Sequence, residues 1–271
     1  MTQLKPSHIL VLVLLLFLTC NKKEVNLLEI KQQEQQKQVC FIKNANHGYG
    51  IIYNFSYDTQ KLLNTLQGFS GFNKITYING LPVKAENTFE QGNYITFDYD
   101  AQGAMTLLTF YGKDSTGKPF AFKSSITTNS KKQVERIKLA LPIFDDVLDT
   151  SIEYDANSNI KKINLTQNGK TQTILENLSF DNKNAPYIAT PFNTIMLYFV
   201  IFTSKVGAEN TTYFINKNNV TAARIATADG NVEYSYKYEY NDKGFPVKTN
   251  ITRKSNGKEE NYQENFSYNC P

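Results

Sequence analysis

A strict two-residue alternation over residues 232–240 constrains the fold of this chain more than any other feature of its sequence. The positions of one parity carry large apolar or aromatic side chains: Val232, Tyr234, Tyr236, Tyr238 and Tyr240. The positions between them carry charged or small polar side chains. Because successive side chains of a β-strand point to opposite faces, this pattern predicts a half-buried strand. The four tyrosines, together with Phe266, form a candidate aromatic face that either packs a core or binds a ligand.

Short turn sequences separate this strand from its neighbours. Asp229-Gly230, the stretch 241–244 and Asn256-Gly257 each stand between two alternating runs. Asp-Gly and Asn-Gly pairs favour hairpin turns because both residues tolerate a positive φ. The sequence therefore predicts four consecutive antiparallel strands over 220–227, 232–240, 245–253 and 260–268.

Similar strands and turns recur upstream, and six of the predicted strands end in an aromatic residue followed by Asp or Asn. These pairs are Tyr57-Asp58, Tyr99-Asp100, Tyr154-Asp155, Phe180-Asp181, Tyr240-Asn241 and Tyr268-Asn269. We expect the Asp or Asn side chain to accept a hydrogen bond from the turn backbone two residues on. Residues 134–141 fit either a strand or a helix.

The composition agrees with this pattern, since the chain has 17 Tyr, 18 Phe and no Trp. Aromatic residues favour strands, and frequent Asn favours turns. We therefore predict an all-β fold, an antiparallel up-and-down meander of about ten to fourteen strands that forms a barrel or half-barrel. The strand faces alternate between apolar and charged, and several strands are shorter than the roughly 9–11 residues of a transmembrane strand. The prediction is a soluble barrel.

The N-terminus is typical of an exported protein. Lys5 precedes an apolar run over residues 9–18, which is too short to span a bilayer as a helix and is typical of a signal peptide over 1–19. The end of this run resembles the lipobox of bacterial lipoproteins, in which the chain is cut before a cysteine and that cysteine is acylated. This predicts lipidation of Cys20 and attachment to a membrane. The alternative is an ordinary secretory signal with Cys20 unmodified.

The residues after the signal divide into a tether and a domain. Residues 20–38 are predicted to form a flexible polar tether, because the Gln-rich stretch 32–38 has no apolar side chain to bury. Residues 39–271 are predicted to form a single domain. Cys40 lies near its start and Cys270 near its end, and an exported compartment permits a disulfide between them. That pairing requires neighbouring first and last strands, as in a closed barrel; two buried free thiols are the alternative.

One apolar segment breaks the alternation. Residues 195–202 are apolar without interruption, so both faces of this segment must be covered. It is interpreted as a plug that fills the core, or as a patch that contacts a membrane or a partner. The candidate plug or interaction residues are Ile195, Leu197, Phe199 and Phe202.

Three stretches together carry a family resemblance: residues 180–187 (FDNKNAPY), the apolar segment after them, and the closing turn 238–246 (YEYNDKGFP). They resemble a family of Bacteroidetes lipoproteins, domain of unknown function 4595, which has a porin-like fold. The likeness covers most of residues 39–271. It implies an antiparallel, barrel-like sheet with an apolar plug, and it implies no known activity and no catalytic residues.

The sequence shows little site chemistry. Its two histidines are His8, in the signal, and His47, which is expected in a solvent-exposed loop. No His, Cys and carboxylate cluster has metal-ligand spacing, and no nucleophile elbow or phosphate loop is present. The formal net charge of +4 is spread along the chain, which argues against nucleic-acid binding. No cofactor and no metal are therefore predicted, and an enzymatic role is not favoured.

These features predict a lipid-anchored protein of the cell envelope, an outer-membrane lipoprotein on the periplasmic face or the cell surface. The expected role is a binding or interaction module for a glycan, a peptide or a lipid. Two alternatives remain: a structural accessory lipoprotein of an envelope complex, and a hydrolase whose carboxylates come from separate strands.

Overall fold

The computed structural model describes residues 40–48, 52–68, 71–141, 146–190 and 209–270. The expectations for the signal, for Cys20 and for the tether lie outside these residues. So do those for Ile195, Leu197, Phe199 and Phe202.

The described residues form sixteen β-strands and one short 3₁₀ turn. The strands are β1 Phe41–Asn46, β2 Ile52–Tyr57, β3 Leu63–Gln67, β4 Lys74–Ile78, β5 Leu81–Glu86, β6 Tyr94–Tyr99, β7 Met105–Lys113, β8 Pro119–Thr128, β9 Val134–Leu141, β10 Asp146–Tyr154, β11 Ile160–Gln167, β12 Lys170–Asn184, β13 Asn218–Thr227, β14 Gly230–Tyr240, β15 Pro246–Ser255 and β16 Lys258–Asn269. The 3₁₀ turn, Thr212–Phe214, precedes β13. No helix in this part of the chain has the length and hydropathy of a membrane-spanning segment.

The strands form a closed barrel in which each strand is antiparallel to its neighbours in sequence, and β16 pairs with β1. The predicted all-β meander is confirmed, and the barrel is closed rather than a half-barrel. The predicted number of strands was too low. In β3, for example, the buried residues Leu63 and Leu66 are three positions apart, so no two-residue alternation marks this short strand. Residues 134–141 form a strand. Its residues alternate between buried and exposed, since Ile137 and Leu139 are buried whereas Arg136 and Lys138 are exposed.

The interior of the barrel is apolar. All sixteen described strands contribute at least one side chain to one continuous hydrophobic core, from Ile42 on β1 to Phe266 on β16. On β14, Val232, Tyr234 and Tyr236 are buried, as the alternation predicted. Glu233, with the other residues of its parity, is exposed on the outer face.

The outer face carries charges that pair across neighbouring strands. The pairs are Arg136–Asp149, Lys138–Asp149, Lys162–Glu176, Arg224–Glu233, Lys248–Glu239 and Lys254–Glu259. A further pair, Arg253–Glu260, has the inward parity of Ile251 and Phe266. Opposite charges on adjacent strands favour one register over another. The barrel therefore has an apolar inside and a charged outside.

Tyrosines near the ends of even-numbered strands form a recurrent hydrogen bond. Each donates its hydroxyl to a backbone carbonyl near the start of the preceding strand, at distances of 2.7–2.9 Å. The pairs are Tyr57–Ile42, Tyr99–Pro82, Tyr154–Val134, Tyr238–Val220 and Tyr268–Pro246. Burial raises the pKa of each of these hydroxyls, to about 12 for Tyr57, so they remain donors at neutral pH.

The Asp and Asn residues after strand ends organise the turns as expected in most cases. Asp58, Asp100 and Asn241 each accept hydrogen bonds through Oδ1 from the backbone N–H groups two and four residues on. The prediction is wrong for Phe180-Asp181, which lies inside β12 rather than at its end. The predicted hydrogen bond is nevertheless present, because Asp181 accepts from the Lys183 N–H, two residues on. Asp181 also accepts from the Asn219 side chain, at irregularities in the β12–β13 pairing.

A glycine permits the close approach of two strands after β3. Gly68 has φ +86°, and a Cβ at this position would lie 1.9 Å from the Ile52 carbonyl oxygen. We expect Gly68→Ala to lower the free energy of unfolding by at least about 2 kcal/mol, measured by urea denaturation. Gly80→Ala is the matched control, because Gly80 has φ +77° but no atom within 4 Å of the added Cβ. Its cost is expected to be about 1 kcal/mol; equal costs for the two variants would contradict the steric argument.

Residues Phe41–Asn269 form one compact unit that contains the whole barrel, and Cys40 and Cys270 flank this unit in the sequence. These two cysteines form a disulfide with an S–S distance of 2.07 Å across a sequence separation of 230. Each cysteine is one residue beyond the Phe41–Asn269 pair of β1 and β16.

Candidate functional site

The connection from β12 to β13 packs against the inner wall of the barrel through its two described parts, residues 185–190 and 209–217. Tyr187 is fully buried, and its ring contacts Phe55 on β2, Phe266 on β16 and Phe214 of the 3₁₀ turn. Tyr57 on β2 also lies 3.1 Å from the Thr190 hydroxyl. These contacts bring polar groups of the connection next to β1 and β16.

A buried polar cluster forms at this contact around His47. Its Nδ1 lies 2.8 Å from Glu264 Oε1, and its Nε2 lies 3.2 Å from the Tyr187 hydroxyl. The Tyr213 hydroxyl lies 3.3 Å from Nδ1. Only 9% of the His47 side chain and 10% of the Glu264 side chain are exposed. The expectation of a solvent-exposed His47 was wrong, because the rings of Tyr53, Tyr213, Phe214 and Phe266 surround the imidazole.

The protonation of the cluster follows from its burial. Desolvation raises the pKa of Tyr187 and of Tyr213 well above the usual value, so both hydroxyls keep their protons. If the Tyr187 hydroxyl donates to Nε2, the ring proton is on Nδ1, where it is donated to Glu264 Oε1.

An imidazole oriented by a carboxylate resembles a general base, but the surroundings do not suit catalysis. Nε2 is engaged by Tyr187, which is itself fully buried, so a substrate has no free position beside it. Among the residues that the structure describes, Glu264 is the only charged residue that is buried. The same residues contain no group of three His, Cys, Asp or Glu side chains that could hold a metal. The cluster therefore holds the connection from β12 to β13 against the inner wall of the barrel.

An asparagine network holds the 3₁₀ turn against β11 and β12. Asn177 donates to the Ile160 carbonyl at 2.7 Å and to the Thr212 hydroxyl at 2.9 Å. Asn216 accepts from the Ile160 N–H at 2.7 Å, and Asn210 donates to Asn177 at 2.9 Å. Since these amides satisfy buried backbone groups, the network is structural.

The candidate aromatic face lies on the inner wall. Tyr234, Tyr236 and Phe266 are buried, whereas Tyr238 and Tyr240 are half-buried. The rings of Tyr234, Tyr236 and Tyr238 are nearly parallel, with centroids 6.0 and 6.3 Å apart. The structure places these side chains in the core, where they pack the barrel.

A second candidate site lies on the outside of the barrel, and sequence reasoning missed it. A shallow groove of about 210 Å³ follows the end of β5 and the loop to β6, lined by Lys74, Glu86, Asn87, Thr88, Gln91, Gly92, Asn93 and Tyr94. The only signal in the sequence is a polar loop, residues 87–93, that contains an isolated aromatic residue, Phe89.

The loop beside the groove is held in one conformation by its own hydrogen bonds. Asn87 Oδ1 accepts from the N–H groups of Phe89 and Glu90, and the Asn87 N–H donates to the Asn93 carbonyl. Asn73 and Thr88 join the loop to β4 through two further bonds. In this ordered loop the Phe89 side chain is 74% exposed.

Charged and aromatic side chains meet beside the groove, where Lys84 contacts two of its lining residues, Glu86 and Tyr94. Lys84 Nζ lies 2.7 Å from Glu86 Oε1 and 4.5 Å from the centre of the Tyr94 ring, which stacks on Tyr111. Lys74 Nζ lies 3.9 Å from Glu86 Oε2. The hydrogen bond from Lys84, together with the charges of Lys84 and Lys74, lowers the pKa of Glu86, so this carboxyl group is ionised at neutral pH.

Comparison with known proteins supports the fold. No family model matches the chain, and no curated protein matches it. A solved porin-like protein from Bacteroides uniformis matches with a TM-score of 0.45 and 12% identity, over 84% of this chain and 96% of that chain. A solved porin-like protein from Bacteroides vulgatus matches with a TM-score of 0.50 and 11% identity, over 84% of this chain and 99% of that chain. At these identities the likeness concerns the fold alone, and the chain is similar in fold to the porin-like protein from Bacteroides vulgatus.

Proposed function

We propose that this protein is a lipid-anchored binding module of the cell envelope that works through its outer surface and not as a channel. The lipid is carried on Cys20, and the ligand is a glycan, a peptide, a lipid or another envelope protein. The observation that carries the proposal is the polarity of the barrel, with an apolar core inside and charges outside.

This polarity is the reverse of that of a porin. A porin has a polar, water-filled interior and an apolar band that faces lipid. Here side chains from every described strand pack into one apolar core, so these strands do not line a water-filled path. The ligand therefore binds to the outer face of the barrel or to its loops.

The charges on the outer face oppose insertion of the wall into lipid. A Lys or Arg that faces lipid at the middle of the bilayer costs about 2–4 kcal/mol. Lys138 and Arg136 on β9, Arg224 on β13 and Lys254 on β15 are all on the outer face, and several further pairs accompany them. A barrel of this kind needs an attachment outside its wall to stay at a membrane, and an acylated Cys20 would supply one.

An envelope location is also supported by the name of one solved neighbour. The Bacteroides vulgatus structure, which is similar in fold, is described as a porin-like protein. Together with the export signal, this favours attachment at the outer membrane.

The attachment can be tested by replacing the lipoprotein signal. We expect the native chain to sediment with membranes, and a chain exported by an ordinary secretory signal, with Asn21 as its first residue, to appear in the soluble periplasmic fraction. The reason is that the charged barrel wall has no apolar band to hold it in the bilayer. The measurement is membrane fractionation, with mass spectrometry of the N-terminus to detect acylation.

A known transmembrane barrel expressed in the same cells is the control, because it stays in the membrane whichever signal exports it. Retention of the unlipidated chain in washed membranes would contradict the water-facing barrel. An unmodified Cys20 in the native chain would contradict the anchor.

A further inference from the structure

The seam between β3 and β4 is the least paired joint of the barrel. Among the strand pairs that the structure describes, only β3 and β4 are in register at a single position, Thr65–Lys74. One further backbone bond, from the Leu66 N–H to the Asn73 carbonyl at 2.9 Å, flanks this pair. The rest of β4, residues 75–78, pairs with β5 on one side but has no registered partner on β3. β4 therefore has an unpaired backbone edge along this part of the seam.

Tyr77, in the middle of this unpaired stretch, lacks a hydrogen bond that equivalent tyrosines make. Like Tyr57 and Tyr99, it lies near the end of an even-numbered strand and packs against the core. Those two hydroxyls donate to carbonyls of the preceding strand, at Ile42 and Pro82. The Tyr77 hydroxyl is buried and has no partner among the described residues. Burial raises the pKa of Tyr77, so its hydroxyl keeps its proton and is a donor without an acceptor.

The unpaired edge can be reached from the outside of the barrel. On β4, Thr76 and Ile78 are exposed, and Ile78 is 61% exposed although it is apolar. On the β3 side of the seam, Asn64 is exposed as well. The inner side is closed, because Leu63 and Ile75 are buried in the core. A ligand that enters the seam from outside therefore meets the backbone edge of β4.

The chemistry of such an edge selects a peptide. A strand edge presents a row of N–H donors and C=O acceptors, which is complementary to the backbone of another extended chain. Peptides that add a strand to a sheet gain their affinity from these main-chain hydrogen bonds. A saccharide or an acyl chain has no row of donors and acceptors at the spacing of a strand. A carbonyl of the added strand would also supply the acceptor that the Tyr77 hydroxyl lacks.

We propose that the seam between β3 and β4 binds an extended peptide, which pairs with the free edge of β4 over residues 75–78 and accepts the hydrogen bond of Tyr77. This inference rests on the proposed binding function and narrows its ligand to a peptide at a defined site.

The test compares two forms of one probe, an acetylated peptide of eight residues in which Thr and Val alternate between two terminal lysines. The second form has its central amides N-methylated, so it keeps the side chains but cannot donate main-chain hydrogen bonds. The full chain, held in detergent, is titrated with each form by calorimetry. We expect the unmodified peptide to bind at least about tenfold more tightly than the methylated one, because the contact is made by the backbone.

Tyr77→Phe and Tyr99→Phe are a matched pair of variants. Tyr77→Phe should weaken binding of the unmodified peptide about fivefold, the value of one hydrogen bond, whereas Tyr99→Phe should leave it unchanged. In urea unfolding of the free chain the order is reversed. Tyr99→Phe should lower the midpoint, because the Pro82 carbonyl loses its donor. Tyr77→Phe should not lower it, because the hydroxyl that it removes is unpaired.

Equal affinity for the two peptides would overturn the backbone pairing, and binding of neither would overturn the site. Peptide binding that Tyr77→Phe leaves unchanged would overturn the placement at this seam. A urea midpoint that falls as far in Tyr77→Phe as in Tyr99→Phe would show that Tyr77 already has an acceptor, which also contradicts the proposal. A dimer that the peptide dissociates would make a second copy of this chain the occupant and overturn a separate peptide ligand. None of these results bears on the attachment and the water-facing barrel, which fractionation tests separately.

Discussion

Replacing both Cys40 and Cys270 with serine is expected to lower the free energy of unfolding by about 5 kcal/mol. The disulfide joins positions 230 residues apart in sequence. In the chain-entropy model, a cross-link that closes so long a loop removes a large entropy from the unfolded chain, worth about 5 kcal/mol at 25 °C. Without it, the pairing of β1 with β16 must close the same loop by non-covalent contacts, and this pairing contains a register shift between Ile42 and Asn44.

The measurement is urea unfolding of the oxidised chain and of the double serine variant, at matched temperature and pH. The native chain under reducing conditions is the control, because it should unfold at the midpoint of the double variant. Equal midpoints for oxidised and reduced protein would contradict a stabilising bridge.

His47→Ala is expected to lower the free energy of unfolding by about 3 kcal/mol. The change leaves the Glu264 carboxylate buried without its 2.8 Å partner. Removing the hydrogen-bond donor of a buried carboxylate is costly because the carboxylate loses its compensation but stays out of water. The Tyr187 hydroxyl, which is also buried, loses its acceptor in the same variant.

Two further variants make the test specific. Adding Glu264→Gln to His47→Ala should recover part of the lost stability, because a neutral amide costs less to bury than a carboxylate. Arg136→Ala, which breaks the exposed pair with Asp149, should leave the free energy of unfolding nearly unchanged. A His47→Ala cost as small as that of Arg136→Ala would show that the cluster does not stabilise the barrel.

The local features of the barrel could be predicted from the sequence. The inward tyrosines of β14 follow from the two-residue period of the sequence. The turns at Asn79-Gly80 and Asn256-Gly257 follow from residue types that tolerate a positive φ, and all four of these residues have one in the structure. Each feature depends on neighbours within a few positions. β3 was not predicted, because it is short and its buried residues do not alternate with exposed ones.

The polar cluster and the groove could not be predicted, for a physical reason. His47 is buried only because β1 pairs with a strand 217 residues away that carries Glu264, and because Tyr187 and Tyr213 pack beside it. The groove likewise combines Lys74 from β4 with Glu86 from β5 and Tyr94 from β6. A lone histidine and scattered lysines carry no local pattern, so these sites follow from the strand register.

The even number of strands has a practical consequence. A meander of sixteen antiparallel strands returns the chain to the end of the barrel where it began, so β1 starts and β16 finishes at the same end. The hairpin between β5 and β6 is at the other end. A fluorophore or an affinity tag placed on the barrel beside the start of β1 or the finish of β16 is therefore attached at the end remote from the groove between β5 and β6.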